Sequence, residues 1–254
     1  MLTIEGFEKT LKYWKMFEEG LVCTVSLSFF TVIFGFIFAL VLALMRMSNF
    51  RPLSFIAPNN DKGGIVNAIS NFRPLNFIAS VYIEVFRATP LMVQLFIVYH
   101  VLLTDIDLPS FKLFGFIRFE RFVPGVIALS LNSAAYLSEI IRSGIQSIDH
   151  GQTEAARSLG MSNRQNMQHI ILPQAIKNIL PAIGNECIAL LKETSVAGYV
   201  AVVDITKAAT NIRNTTFDAV NPIILLALVY LVMVVLMTKL LSVFERRLRK
   251  SDGK

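Results

Sequence analysis

"GQTEAARSLGMSNRQNMQHIILPQAIKNILP", Gly151 to Pro181, is polar, rich in small residues and flanked on both sides by apolar runs. "QTEAARSL" is made of good helix formers, and Gly160 stands where a glycine commonly closes a helix. Ser162 with Gln165 three residues on predicts a capping box, so a second short helix starts there. It is expected to stop before Pro173, because the residue preceding a proline avoids the helical region. The stretch therefore reads as helix, glycine turn, helix, proline break: a compact knob between two membrane segments. Its small residues Ala155, Ala156 and Gly160 admit the close approach of another backbone. Glu154, read at the first turn of its helix, suits the helix dipole.

Outward from this knob, the chain is that of a membrane protein. Of 254 residues, 54% are hydrophobic and only 17% charged, against about 25% charged in a soluble domain. The mean hydropathy is +0.58. About 20 apolar residues cross a bilayer as a helix. Five spans are expected: Leu21–Met45, Ala79–Leu103, Phe122–Ile141, the more polar Ala175–Val203, and Asn221–Thr238. With the N-terminus outside and the C-terminus inside, most of the 24 basic residues fall on the inner side, including Arg46, Arg73, Arg142, Arg157, Arg164 and the tail 248–254. That distribution suits the positive-inside rule and accounts for the net charge of +6 without nucleic acid. Cys23 and Cys187 lie in apolar stretches and imply no disulfide framework.

Before the first span, Ile4, Phe7, Leu11, Trp14 and Phe17 recur at helical spacing among charged residues. Residues 1–20 thus read as an amphipathic helix, lying in the outer interface or packed on the protein's own bundle. "SNFRPLSFIA" (Ser48 to Ala57) is repeated as "SNFRPLNFIA" (Ser70 to Ala79). Two copies make no solenoid. They are consistent with a tandem duplication that lengthens an inner loop, residues 48–78, at small entropic cost.

Ionisable residues within spans usually face an interior or a watery path. Asn132, Tyr136 and Glu139 share one face of the third span. Glu186 and Glu193, seven apart, share one face of the fourth, with Lys192 beside them. These six are candidates for a translocation path that holds an ammonium and a carboxylate; the alternative is packing or subunit contact. Glu84 and Arg87, three apart, read as an ordinary intrahelical pair. His100, His150 and His169 are too scattered for a metal site.

The pattern Glu154-Ala155-Ala156, Gly160, Ile170, Leu172-Pro173 resembles the EAA motif of bacterial ABC importer permeases at every position. "SVYIEVFRATPLMVQLF" (Ser80 to Phe96), "ALSLNSAAYLSEIIRSGIQSI" (Ala128 to Ile148) and "NECIALLKETSVAG" (Asn185 to Gly198) are similar to span signatures of the polar amino-acid uptake subfamily. The resemblance covers roughly residues 20 to 247 and leaves out one copy of the duplicated loop. It implies an all-α integral membrane protein of the type I importer fold, with one permease domain over 21–247 and the coupling loop at 151–173. It further implies a second permease subunit, a cytoplasmic ATPase that receives the loop, and an extracytoplasmic solute-binding protein, in the bacterial cytoplasmic membrane. The chain has no G-x-x-x-x-G-K-S/T phosphate loop, so ATP and magnesium are expected on the partner ATPase, and no cofactor on this chain. The rival readings are a permease for an opine or another amine, an ion-driven secondary transporter, and a membrane enzyme. The absence of a matching second half weighs against the second. No nucleophile–base or metal constellation supports the third.

Overall fold

The computed structural model describes residues 3–48 and 71–250, with side chains to residue 246. Apart from Ser48, the first copy of the duplicated phrase and the segment after it lie outside the described residues, as does the end of the basic tail.

Helix α1 (Ile4–Leu11) is capped by the Thr3 side chain and ends at a break before α2 (Trp14–Met47). The N-terminal amphipathic run is therefore two elements: Trp14 and Phe17 belong to the long first span, and Phe17 is fully buried. α1 lays Gly6 and Phe7 against the protein while Ile4 and Leu11 stay exposed. The packed alternative holds for the Gly6–Phe7 face.

The expected second span is bent. α3 (Pro74–Ala88) and α4 (Leu91–Ile97), the latter continued by a π-helical turn over Val98–Leu102, meet at 110° around Thr89-Pro90. A two-stranded hairpin follows, β1 (Lys112–Leu113) with β2 (Ile117–Arg118), in register Leu113 to Ile117. It is a small addition to the expected all-helical fold, held by stacking of the Phe111 and Phe119 rings 4.4 Å apart. The central span is α5 (Phe119–Gln146); its most apolar window is 72% buried. The surface loop carries α6 (His150–Ser158) and α7 (Asn163–Asn166). A π-helical turn, Met167–Ile171, leads from α7 into α8 (Leu172–Glu193), which tightens to a 3-10 turn over Thr194–Val200. α9 (Ile205–Thr216) and α10 (Asn221–Lys250) complete the chain.

Among the described residues, three helices are long and apolar enough to cross a membrane, α2, α5 and α10, or four spans with the bent pair. α8 is long enough but not among them, because Glu186, Lys192 and Glu193 lower its apolarity; it was the most polar of the five expected spans. α10 is the periphery, with only 6% of its apolar window buried, so most of its side chains meet lipid or a partner.

α5 is central because small residues line it. Ala128, Ser133, Ala134 and Ala135 are almost fully buried. They let α2 and α3 approach closely, as membrane helices do when packing replaces hydrophobic driving force. At Gly144 a Cβ would stand 2.2 Å from Ile179, so the absence of a side chain there sets the α5–α8 distance. Leu137, Ile141, Ala175 and Ile179 fill the contact around it.

Candidate functional site

The polar loop after α5 forms from local rules. Asp149 caps α6 through Gly151 N–H, 2.6 Å away. The helix therefore starts at His150, two residues before the "QTEAARSL" stretch. Glu154 lies mid-helix and exposed, not in the first turn, and the dipole argument for it lapses. At the far end Gly160 N–H donates to Arg157 C=O (2.9 Å) and Met161 N–H to Ala156 C=O (3.0 Å). With Gly160 at φ +78° this is the left-handed Schellman closure. The capping box is formed: Ser162 N–H donates to Gln165 Oε1 at 2.9 Å, and Gln165 N–H to Ser162 Oγ at 3.3 Å. Asn166 crosses to Thr153 Oγ1 at 3.3 Å, which folds α7 against α6.

Two expectations for this loop change. Ala156 is 1% exposed; it closes the helix turn from within and offers nothing to a neighbour. Ala155 and Gly160 are exposed, and the tip adds Leu159, an apolar side chain 81% exposed. The proline break is absent. Leu172 keeps helical angles (φ −63°, ψ −42°) and donates its N–H to Met167 C=O, five residues back. Pro173 falls in the first turn of α8. The wider π-turn makes room for a ring that lacks an N–H and clashes with the turn before it. Ile170 is half-buried and Ile171 buried, while Leu172 and Pro173 are exposed. α8 is then tied to the end of α5 by Asn178 Nδ2 to Ser147 Oγ at 3.0 Å.

The second set of polar groups lies at the bend. Pro90 has no N–H to give to the Phe86 carbonyl four residues back. The Gln94 side chain supplies it: Nε2 donates to Phe86 C=O (2.8 Å), to Thr89 C=O (3.0 Å) and to Thr89 Oγ1 (2.8 Å). Gln94 Oε1 accepts from Asn132 Nδ2 at 2.9 Å. Asn132 is 5% exposed and its donor is occupied there, so it holds the bend from α5. Next to it, Tyr82 O–H donates to Leu131 C=O at 2.8 Å. One turn on, the Arg87 guanidinium lies 5.6 Å over the Tyr136 ring, a cation–π contact. Glu139 pairs with Arg142 on α5, one bond at 3.0 Å. The expected Glu84–Arg87 pair is not formed among the described residues: Arg87 turns to Tyr136 and Glu84 lines a separate cleft with Arg46. Glu186 and Glu193 are half-buried on α8, and Lys192 is exposed. No hydrogen bond or ion pair among the described residues joins them to Asn132, Tyr136 or Glu139. The two polar faces are distinct.

The family described as "binding-protein-dependent transport system inner membrane component" matches residues 63–250. The chain belongs to this family. Along 97% of its length it is 38% identical to the arginine transport system permease protein ArtQ of Bacillus subtilis (strain 168), covering 98% of that protein. It is 35% identical to a putative glutamine transport system permease protein of Rickettsia bellii (strain RML369-C), over 91% of each chain. A solved amino acid ABC transporter, crystallised with histidines, matches at 40% identity and a TM-score of 0.79, covering 97% of this chain and 100% of that one. The MetNI methionine ABC transporter, at 16% identity and a TM-score of 0.67 over 92% of this chain and 96% of that one, shares the fold. The chain is thus the membrane-spanning permease subunit of an ABC importer with the type I fold, a transport component and not an enzyme.

In this permease the sequence reading missed Gln94 and Leu159. Gln94 sits inside an apolar run four residues after a proline; its spacing to Phe86 and Pro90 carried the signal. Leu159 was read as the end of a helix, and its exposure follows only from where Gly160 turns the chain.

Proposed function

We propose that this permease translocates a polar amino acid, driven by ATP hydrolysed with magnesium on a cytoplasmic ATPase that grips the α6–α7 loop. The observation that carries this is the loop: a folded surface element with exposed Glu154, Ala155, Leu159 and Gly160, continuous with a helix packed on the central span. The amino-acid class is supported by relatives named for arginine and glutamine that match along nearly the whole chain.

In this reading the N-terminus is outside and the C-terminus cytoplasmic, supported by the arginines at the loop-side ends of the spans. A second permease, identical or related, covers the exposed face of the bundle, and an extracytoplasmic binding protein delivers the solute. Within residues 21–247 the path is walled by Tyr136 and Glu139 with Arg87. Glu186, Lys192 and Glu193 form a second polar face. Asn132 positions the wall through Gln94. Glu154, Ala155, Gly160, Ile170, Leu172 and Pro173 belong to the coupling element, with Ala156 inside it.

The test is uptake into liposomes holding the permease with its ATPase and binding protein, using labelled arginine, glutamine and histidine. ATP-dependent uptake of at least one of them, lost on Gly160→Leu together with co-purification of the ATPase, is expected. Uptake that persists without ATPase or nucleotide overturns the reading.

A further inference from the structure

Beside the loop, the ends of α2, α3 and α5 enclose a cleft of about 610 Å³. Its walls carry Arg46, Arg73 and Arg142, with Asn76, Ser80 and Glu84. Arg142 is paired with Glu139. Arg46 and Arg73 have no ion pair among the described residues. Glu84, the one acid on the walls, lies eleven residues from Arg73 along α3, about three turns away. Three arginines against Glu84 and the Glu139 behind Arg142 leave the cleft with a net charge of +1. The frame is fixed from within: Asn76 Nδ2 donates to Arg46 C=O, and Ser80 Oγ donates to Asn76 C=O at 2.6 Å.

The depth of the cleft narrows what it holds. Arg46 is the first charge after the uncharged run Leu21 to Met45, and Arg73 immediately precedes α3. Both stand where the hydrocarbon ends. On the adjoining turns Leu44 is 72% exposed, and Phe77, beside the face that carries Asn76 and Ser80, is 56% exposed. A soluble anion has no use for an apolar border. A molecule with a phosphate and acyl chains uses both parts, and basic recesses between membrane helices recognise such headgroups.

We propose that this cleft binds the phosphate of an anionic phospholipid, with Arg46 and Arg73 as its ligands and the chains lying along Leu44 and Phe77. The cleft touches the wall at the bend only through the Arg142–Glu139 pair, and its two proposed ligands do not depend on which solute is carried.

The experiment is native mass spectrometry of the full transporter complex, exchanged into mixed micelles of equal phosphatidylglycerol and phosphatidylcholine. The wild type is expected to retain phosphatidylglycerol over phosphatidylcholine. Arg46→Gln with Arg73→Gln lowers that retention about fivefold for each arginine lost, and Arg46→Lys with Arg73→Lys restores most of it. Phosphatidylcholine retention stays level in all three, which separates loss of the site from loss of the fold. Equal phosphatidylglycerol retention by the glutamine variant overturns the proposal. So does no preference in the wild type, the result if a second permease fills the cleft. Displacement of the lipid by millimolar inorganic phosphate makes it a soluble-anion site and overturns the lipid assignment. None of these readings requires transport, so failure of the amino-acid assignment leaves the result interpretable.

Discussion

The Gln94 side chain donates to the Phe86 carbonyl, the acceptor that Pro90 leaves without its helical partner. A bend of 110° inside a membrane segment is tolerable only if the freed backbone groups are satisfied by protein. One amide covers two carbonyls here, and Asn132 fixes the amide. Gln94→Leu is therefore expected to destabilise the permease by about 2–4 kcal/mol, read as a fall in thermal midpoint in detergent. Asn132→Ala should cost less, about 1 kcal/mol, since Gln94 still reaches both carbonyls. Equal midpoints for Gln94→Leu and wild type would remove the stitching role.

At the proposed coupling loop, packing and contact can be separated. Leu159 is 81% exposed and supports nothing within the chain. Leu159→Ser should leave the thermal midpoint within ~0.5 kcal/mol of wild type while weakening capture of the ATPase in a pull-down. Ala156→Leu should do the reverse in order: it overfills a buried position, costing about 1–3 kcal/mol, and loses the partner only because the loop unfolds. A Leu159→Ser protein that binds and stimulates the ATPase normally would exclude the tip from the interface.

Gly160 has φ +78° but open space around it. Gly160→Ala should cost only about 1–2 kcal/mol of loop stability, with uptake partly retained. Gly160→Leu adds bulk at the surface offered to a partner and should abolish uptake. The ratio of the two effects, measured as uptake per assembled complex, reports steric contact apart from backbone strain.

For the wall at the bend, Tyr136→Leu removes the ring under Arg87. The lost cation–π contact is worth about 0.5–2 kcal/mol, too little to unfold a central span. Uptake should fall severalfold while the thermal midpoint drops by only a few degrees. Unchanged uptake would move the path away from α5.

Asp204, the cap of α9, is buried, and burial pushes its carboxyl up to about 6. The fold thus favours the protonated form. Its stabilising effect is full below the unfolded value of about 3.9 and is lost as pH rises through about 6. Between pH 7 and pH 5 the wild type should gain thermal stability relative to Asp204→Asn, by about 1.3 kcal/mol. A constant difference across that range would count against a raised carboxyl.

Much of this was legible because it is local. The capping box needs only Ser162 and Gln165, and the Schellman turn only Gly160. The first and last long spans follow from uncharged runs. Other features depend on partners distant in sequence or on competition between rules. Pro90 was read as part of a single span because the proline and the Gln94 spacing were not weighed together; the 110° bend is sustained by that glutamine four residues later, and its anchor comes from another helix. Pro173 was read as a stop because the preference of its predecessor was applied alone, whereas an i to i+5 turn removes the conflict. Glu84 and Arg87 were paired by spacing, but a ring on α5 offers Arg87 a better partner.

The unbroken passage from α7 through the π-turn into α8 has a mechanical corollary. Under the proposed coupling, displacement of the loop reaches α8 without a break. Ile179, in the notch left by Gly144, is then the fulcrum, with about 24 Å of helix toward Asn163 and about 21 Å toward Glu193. A tilt at the surface end would swing Glu193 by a comparable arc the other way, so the balance point of the lever is set by a missing methyl group.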